Sequence, residues 1–496
     1  MARLNPLKKV LVANRGEIAV RVIRACRERG IATVAVYSDP DRWALHTRLA
    51  DEAHRLGPAA AAESYLNVER ILEIAEETGC QAVHPGYGFL AENADFADRV
   101  ESSGLTFIGP LGESMRQMGD KLAARQTAKR QGVPTVPGAY DPITDVDAAR
   151  EAAQEIGYPL LIKAAAGGGG KGMRRVDSDD ELASSFERAV SEVEKSFGDP
   201  SVYLEKFVPR SKHIEVQVLA DSEGNAVHLY ERECSVQRRY QKLIEETPAP
   251  LLDEATRREM GEAAVAVAEG CDYRSAGTVE FIYDVDEDQY YFLEMNTRIQ
   301  VEHPITEEVT GVDLVGEQLE VAQGRPLRFQ QSEIVPRGAA IECRLYAEDP
   351  LMDFMPSIGR IEELVWPSGP GVRLDAGVSR GDDVPPYYDP MVAKLVTWGP
   401  DRDSAIRRMD GALAETLVAG VTTTVGFHRR ALAEPSFRDG SYTTRFVGEM
   451  ADAGLAREDQ RRIATAAALE RHANRSRLLE QLGNHQRQEI PWRAGR

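Results

Sequence analysis

Apolar residues fill residues 8–14 (Lys-Lys-Val-Leu-Val-Ala-Asn), helical spacing follows to Arg29, and after Gly30 a second apolar run covers Ile31–Tyr37. Continuous apolar runs of this length suit strands buried on both faces, and the 3.6-residue spacing between them suits a helix packed on the sheet. Ala82–His84 and Thr106–Ile108 continue the alternation, which predicts a doubly wound parallel α/β layer over residues 1–118. From about residue 120 the pattern changes: Gly119-Asp120-Lys121 opens a helix to Arg130, a helix follows near 145–157, and a strand from Pro159 to Ala166 runs into four glycines. Strands are predicted at 174–177, 201–207, 213–220 and 225–231, with a helix at 180–196, all within a second unit of residues 119–335. A third unit, 336–450, begins near Ile341-Glu-Cys-Arg-Leu-Tyr346 and is rich in strands and turns before turning helical, an α+β pattern. Residues 451–496 read as a helix-prone tail.

Inside the second unit, strands at 278–284 and 289–295 flank an acidic turn with hairpin spacing. Folding about Glu287 sets Glu280 and Glu294 roughly opposite each other, where like charges destabilise a strand pair unless something positive lies between them. Two carboxylates beside an amide, Asn296, suit a hard divalent cation held against phosphates; an exposed, solvated acidic hairpin is the competing reading.

Composition narrows the field. The 496-residue chain has 42% hydrophobic and 28% charged residues, an ordinary globular balance, and a formal charge of −20 that argues against a general nucleic-acid or membrane-surface binder. Cys26, Cys80, Cys234, Cys271 and Cys343 are widely spaced and form no Cys-x-x-Cys pair, so neither a disulfide framework nor a zinc site is expected, and the chain reads as cytoplasmic. No apolar run approaches the ~18 residues needed to span a bilayer.

Gly167-Gly-Gly-Gly-Lys-Gly172 fits G-x-G-x-x-G, yet Met173–Val176 looks extended rather than helical, and residue 172 is not the Ser or Thr of a Walker loop. A glycine hairpin tip can instead close over phosphates with its N–H groups, or serve as a plain solvent loop. Lys163 lies within an apolar strand where an unpaired ammonium is costly, a cost that a phosphate partner removes. His213, Glu215 and Gln217 share one strand face, and Arg238, Arg239 and Lys242 concentrate positive charge in an acidic chain. In an extended segment Arg298, Gln300 and Glu302 fall on one side, able to bind a small oxyanion and take a proton from it. Asn14-Arg15-Gly16 and His84-Pro-Gly-Tyr-Gly-Phe89 fall beyond the carboxyl ends of the first-unit strands, where sites in such sheets lie and where turn glycines are equally at home.

The glycine hairpin, the strand lysine, the paired Glu280 and Glu294 and the Glu-Met-Asn-Thr-Arg run together resemble the ATP-grasp superfamily. Ala13-Asn-Arg-Gly-Glu-Ile18, His84-Pro-Gly-Tyr-Gly-Phe-Leu90, Gln237-Arg-Arg, Arg298-Ile-Gln-Val-Glu-His-Pro304 and Pro385-Pro-Tyr-Tyr-Asp-Pro390 are similar to biotin carboxylase over about residues 7–447. The resemblance implies an ATP-grasp middle domain with a glycine-rich lid at about 136–207, between biotin carboxylase N- and C-terminal domains. It implies that Lys121, Lys163, Gly169, Gly170, His213, Gln237 and Tyr240 face ATP, with Glu205, Lys206, Phe207 and Val208 on the adenine side. Glu280, Glu294 and Asn296 would hold Mg²⁺ or Mn²⁺; Lys242, Arg298, Gln300 and Val301 would bind bicarbonate, and Glu302 would deprotonate it. Arg344 would steady the biotin ureido oxygen, with Tyr87 also on the substrate side. Family chemistry then runs through carboxyphosphate to CO₂ and phosphate, and phosphate takes the N1′ proton of biotin.

Two positions depart from the family pattern: Tyr240 stands where many relatives have His, and Ala166 replaces the first glycine before the flap. No Met-Lys-Met biotinylation signature is present, so biotin is expected as a substrate on a separate biotin carboxyl carrier protein, with separate carboxyltransferase subunits and a homodimeric enzyme. Acetyl-CoA, propionyl-CoA and pyruvate stay open as final acceptors, acetyl-CoA foremost. A non-catalytic nucleotide sensor and another ATP-grasp ligase are the competing classes; the intact Glu302 and the domain after residue 340 speak against them.

Overall fold

The structure, a computed structural model, describes residues 5–164, 173–197 and 201–452. The expected glycine hairpin tip, with Ala166, Gly169 and Gly170, and nearly all of the 451–496 tail lie outside the described residues. The chain divides after Phe446 into a large unit and a C-terminal one, whose described part is the remainder of the helix Phe446–Asp452.

In the first part β1 (Lys9–Val12), β2 (Ala32–Ser38), β3 (Glu52–Gly57), β4 (Ala82–His84) and β5 (Thr106–Phe107) form a five-stranded sheet in the order β3-β2-β1-β4-β5. Its pairings are all parallel. The apolar runs become its buried central strands. The sequence reading did not anticipate β3, which lies at the sheet edge, where the half-buried Glu52 and His54 and the exposed Arg55 are tolerated.

A separate four-stranded antiparallel sheet, order β6-β9-β7-β8, is built from β6 (Gly138–Ile143), β7 (Leu160–Ala164), β8 (Arg174–Val176) and β9 (Val202–Lys206). It has its own core, in which Ile143, Leu160, Ile162 and Leu204 pack against Ala149, Leu182, Phe186 and Val193 of two covering helices.

The largest sheet has eight strands. Its first six, in spatial order β14-β13-β10-β11-β12-β15, are β10 (Ser211–Ala220), β11 (Ala226–Arg238), β12 (Gln241–Thr247), β13 (Ser275–Asp284), β14 (Gln289–Asn296) and β15 (Ala339–Tyr346). The strands Met391–Gly399 and Val372–Ala376 complete it. The sheet therefore runs without interruption from the carboxylate hairpin into the third unit through the β12–β15 pairing. Along β10, Ile214, Val216 and Val218 turn into an apolar core with Val279, Phe281 and Phe292 and the helix Glu254–Glu269. The intervening His213, Glu215 and Gln217 go to the other face, which carries the charged groups described below.

The hairpin holds one irregularity with large consequences. Phe281 pairs with Phe292, whereas Glu280 pairs with Glu294, so Leu293 is an extra residue in β14. Because strand side chains alternate with a period of two, an unbulged strand sending Phe292 into the core would send Glu294 there too. The bulge at Leu293 turns Glu294 back to the face of Glu280.

The N-terminal layer is fitted closely to the third unit. A Cβ at Gly377 would come within 2.5 Å of Glu17 N and 2.8 Å of Gly16 C, at the start of the helix Gly16–Glu28. Gly377→Ala should therefore cost about 1–3 kcal/mol through overpacking and lower the melting temperature. An unchanged calorimetric melt would show that the junction is looser than these distances.

Candidate active site

The site is assembled on the charged face of the eight-stranded sheet, around the ammonium of Lys242. Lys242 lies on β12, and its Nζ donates to Glu302 Oε1 at 2.6 Å, to Glu280 Oε1 at 3.0 Å and to Glu215. Cross-strand register explains the convergence, since Glu215 pairs with Glu280 on one side and with Arg232 on the other. Glu302 arrives from another element: it is the N-cap of the helix His303–Thr310, yet its side chain makes no capping hydrogen bond and goes to Lys242 and Arg344 instead. Arg344 on β15 donates to Glu302 Oε2 at 2.8 Å and to Glu245 Oε1 at 2.6 Å.

Arg232, fully buried, ties this cluster to the next layer. It donates to Glu215 at 2.5 Å, to Gln217 and Gln300 at 2.7 Å, to Thr306 at 3.0 Å and to Thr278 at 3.1 Å. Gln300 and Asn296 in turn donate to Glu280 Oε1 at 2.8 and 2.9 Å. Arg298 donates to Asn296 at 3.0 Å and to Glu92 at 2.9 Å, and Glu92 also accepts the Thr297 N–H at 3.0 Å. Val301 is fixed through its carbonyl, which accepts from Lys394 at 2.7 Å. Tyr87 donates to Glu17, the carboxylate that also pairs with Lys394.

The electrostatics are those of a compensated buried cluster. Burial works against the Lys242 ammonium, but Glu215, Glu280 and Glu302 hold its pKa well above the ordinary lysine value. Burial raises Glu280 and Glu215, and the opposite charges beside them (Lys242 and His213 for Glu280, Arg232 and Lys242 for Glu215) more than cancel this and hold both well below the usual range. Glu302 is likewise shifted down: burial and Glu215 oppose ionisation, and Lys242, Arg344 and Arg232 override them. His213, its Nε2 3.2 Å from Glu280, is disfavoured as a cation by burial and lifted to about 9 by Glu280 and Glu215. Burial of this kind is costly unless every charge is answered. Ligand atoms of His213, Glu215 and Glu280, and of Glu215, Cys234 and Glu302, lie within 4.8 Å of one another, but Lys242 and Arg232 already neutralise both groups. Glu294, opposite Glu280, is open to solvent, so the two carboxylates and Asn296 form an oxygen-rich edge of the kind that suits a divalent cation.

The nucleotide-side candidates are placed at the junction with the four-stranded sheet. Lys121 begins the helix Lys121–Arg130, capped by Asp120, and burial lowers its pKa in the company of Glu294, Lys163, Arg125 and Glu205. Lys163 departs from expectation: its counter-charge within the protein is Glu205, which also accepts from Arg125 at 2.7 Å. Glu205, expected on the adenine side, is thus a buried counter-ion as well. Lys206 pairs with Glu287 at 2.7 Å, Phe207 lies under Arg175 at 4.5 Å, and Val208 is buried. Gln237 pairs with Lys242 across the β11–β12 hairpin. Tyr240, at φ +67° in that hairpin's turn, is 64% exposed, its hydroxyl 3.8 Å from Met173 Sδ.

Comparison with known proteins decides the family. Residues 6–115 match the model of the biotin carboxylase N-terminal domain, 120–330 that of the carbamoyl-phosphate synthase L chain ATP binding domain, and 342–449 that of the biotin carboxylase C-terminal domain. The chain is 53% identical to biotin carboxylase 1 of Bacillus subtilis, over 89% of this chain and 98% of that protein. The chain belongs to the biotin carboxylase family. It is also 54% identical to a pyruvate carboxylase subunit of Methanothermobacter thermautotrophicus, covering 89% of each. Among solved structures it is similar to the biotin carboxylase domain dimer of Hydrogenobacter thermophilus 2-oxoglutarate carboxylase in complex with MgADP, ADP and bicarbonate (TM-score 0.85, 49% identity, 90% of this chain and 98% of that one). The Campylobacter jejuni biotin carboxylase–β,γ-ATP complex gives a TM-score of 0.86 at 44% identity, over 90% and 99% of the two chains. The protein is accordingly the biotin carboxylase component of a biotin-dependent carboxylase, and among the described residues no helix is long and apolar enough to cross a membrane.

Within this biotin carboxylase, sequence reasoning singled out most groups around Lys242 but passed over Arg232, Glu245, Arg125 and Glu92 as candidates, and took Glu215 only as a face-mate of His213. Arg232 had a signal: it sits in Tyr-Glu-Arg-Glu-Cys-Ser, where three consecutive charges lie between the apolar Leu229 and Val236 of one strand. Replacing Lys242 with Met should leave Glu215, Glu280 and Glu302 without their shared cation and cost about 3–5 kcal/mol of stability. Thermal melts of the variant at neutral pH check this, and a melt matching the wild type would mean the cluster is far more hydrated than its burial indicates.

Proposed function

We propose that the chain carboxylates biotin borne on a separate carrier protein, using bicarbonate and ATP, as the biotin carboxylase subunit of a multi-subunit carboxylase. The meeting of Lys242, Arg344 and Glu302 in one buried contact carries this reading. Glu302, kept ionised by the two cations, is the base for bicarbonate, and Arg298, Gln300, Lys242 and the Val301 backbone surround the oxyanion. Lys121, Lys163 and His213 bring positive charge to the phosphates of ATP, alongside Gly169 and Gly170. Glu205, Lys206, Phe207 and Val208 line the adenine side, and Gln237 and Tyr240 stand near the nucleotide. Glu280, Glu294 and Asn296 are the residues that would hold Mg²⁺ or Mn²⁺, whose charge would offset that of the phosphates. Arg344 and Tyr87 face the biotin, and Arg344 neutralises the charge that gathers on the ureido oxygen as N1′ loses its proton.

The names of similar proteins support the substrates, since the Hydrogenobacter domain was solved with MgADP and bicarbonate and as a dimer. They also support the assembly: relatives covered nearly end to end include biotin carboxylases of Bacillus subtilis and Nostoc, while the propionyl-CoA carboxylase alpha chain of Ruegeria pomeroyi, 48% identical, is covered over 74% of its length. We assign the chain to a cytoplasmic, homodimeric acetyl-CoA carboxylase component serving fatty acid synthesis, with propionyl-CoA and pyruvate carboxylases as the competing assemblies. Tyr240, in place of the usual His, should alter ATP affinity rather than abolish turnover.

ADP release from Mg-ATP, with bicarbonate or biotin omitted in turn, tests the reaction. Release that needs bicarbonate and rises strongly with free or carrier-bound biotin is expected; release indifferent to biotin in both forms would refute the assignment. Glu294→Ala should raise the Mg²⁺ concentration for half-maximal rate about tenfold or more, and an identical Mg²⁺ titration would remove Glu294 from the metal site.

A further inference from the structure

Directly behind Arg344, Glu245 on β12 stands opposite Glu342 on β15, and both side chains are fully buried. Arg344 engages only one oxygen of the pair, Glu245 Oε1. Glu245 Oε2 and both oxygens of Glu342 have no hydrogen-bond partner among the described residues. Two carboxylates facing each other in a dry strand pair repel strongly, and a site of this kind ionises one of them and keeps the proton on the other. Arg344 decides which is ionised, because it touches Glu245 and not Glu342.

We propose that Glu245 and Glu342 act as a carboxylate–carboxylic acid couple in which Glu245 is a positioning residue, fixing the angle at which Arg344 meets Glu302 and the biotin. The proposal rests on the assignment of Arg344 to the biotin side. Burial, opposed by Lys394 and reinforced by Glu245, holds the Glu342 carboxyl well above the ordinary carboxylate range. Burial also pushes Glu245 up to about 7, against the pull of Arg344 and Lys242, with Glu302 and Glu215 adding to the rise. The charged and titratable groups around the couple are Arg344 and Cys343 on β15, Lys242 on β12, Glu215 on β10, Cys234 on β11, Glu302 at its helix start and Lys394 on the strand Met391–Gly399. As pH falls through about 7, Glu245 gains a proton, its grip on the guanidinium weakens, and use of biotin declines while ATP binding does not. A neutral amide at 342 imitates the carboxylic acid that stands there already; an amide at 245 cannot hold a guanidinium charge.

The experiment uses the full chain with free biotin at saturating bicarbonate, measuring ADP release from pH 6 to 8.5. Glu245→Gln should lower kcat/KM for biotin about tenfold or more, leave KM for ATP within about twofold, and flatten the acid-side decline near pH 7. Glu245→Asp, which keeps the charge, should retain that decline and recover part of the rate, and Glu342→Gln should stay within about threefold of wild type. Equal losses toward ATP and biotin in Glu245→Gln, a Glu245→Gln profile superimposable on wild type, or Glu342→Gln as damaging as Glu245→Gln would each overturn the couple. Should Glu245→Gln fail to fold, Glu245→Asp decides alone: biotin use equal to wild type overturns positioning, and a selective loss supports it. A wild type without biotin stimulation would instead overturn the functional reading, and the couple with it.

Discussion

Everything in the site turns on one ammonium placed where three carboxylates converge. Lys242 Nζ is the common partner of Glu215, Glu280 and Glu302, which come from two adjacent strands and a helix start. Without a cation at that point the register that stacks Glu215 against Glu280 would be untenable in a dry sheet face. With it, Glu302 stays ionised, Glu280 stays ionised, and Arg232 and Arg344 extend the same alternation of sign outward in both directions. A network of this kind is rigid because no member can move without leaving another unanswered. That rigidity holds the carboxylates of Glu280 and Glu302 at a set distance on either side of one ammonium.

The sequence made much of this legible, and the parts it hid have a common physical cause. The apolar central strands, the two strands of the acidic hairpin and the common face of His213, Glu215 and Gln217 follow from periodicity, whereas Arg298, Gln300 and Glu302 lie in a bend and turn rather than the extended segment expected of them. β11 did not follow either: its predicted end falls before Arg232, yet the strand continues to Arg238 through Glu231, Arg232 and Glu233, all buried. Charge reads as exposure only until partners are known, and here each is answered, Glu231 by Arg257, Arg232 by Glu215 and Glu233 by Lys212. Lys163 shows the same limit from the other side, since the cost of its burial pointed to a phosphate while the folded chain supplies Glu205. The Leu293 bulge was equally hidden, because a one-residue insertion leaves no mark on composition.

The continuity of the eight-stranded sheet sets where the enzyme can flex. Glu280, Lys242 and Arg344 stand on strands of one hydrogen-bonded ladder, so these three groups keep a fixed spacing and no hinge between the second and third units can part them. The four-stranded sheet is a separate sheet, linked to the helix Lys121–Arg130 by residues 131–137, whose Pro134 carbonyl accepts from Phe292 N–H of β14 at 2.7 Å, and to β10 by residues 207–210. Any displacement of the four-stranded sheet against that ladder has to be absorbed in those two short segments, because neither sheet can shear without breaking its own cross-strand pairs.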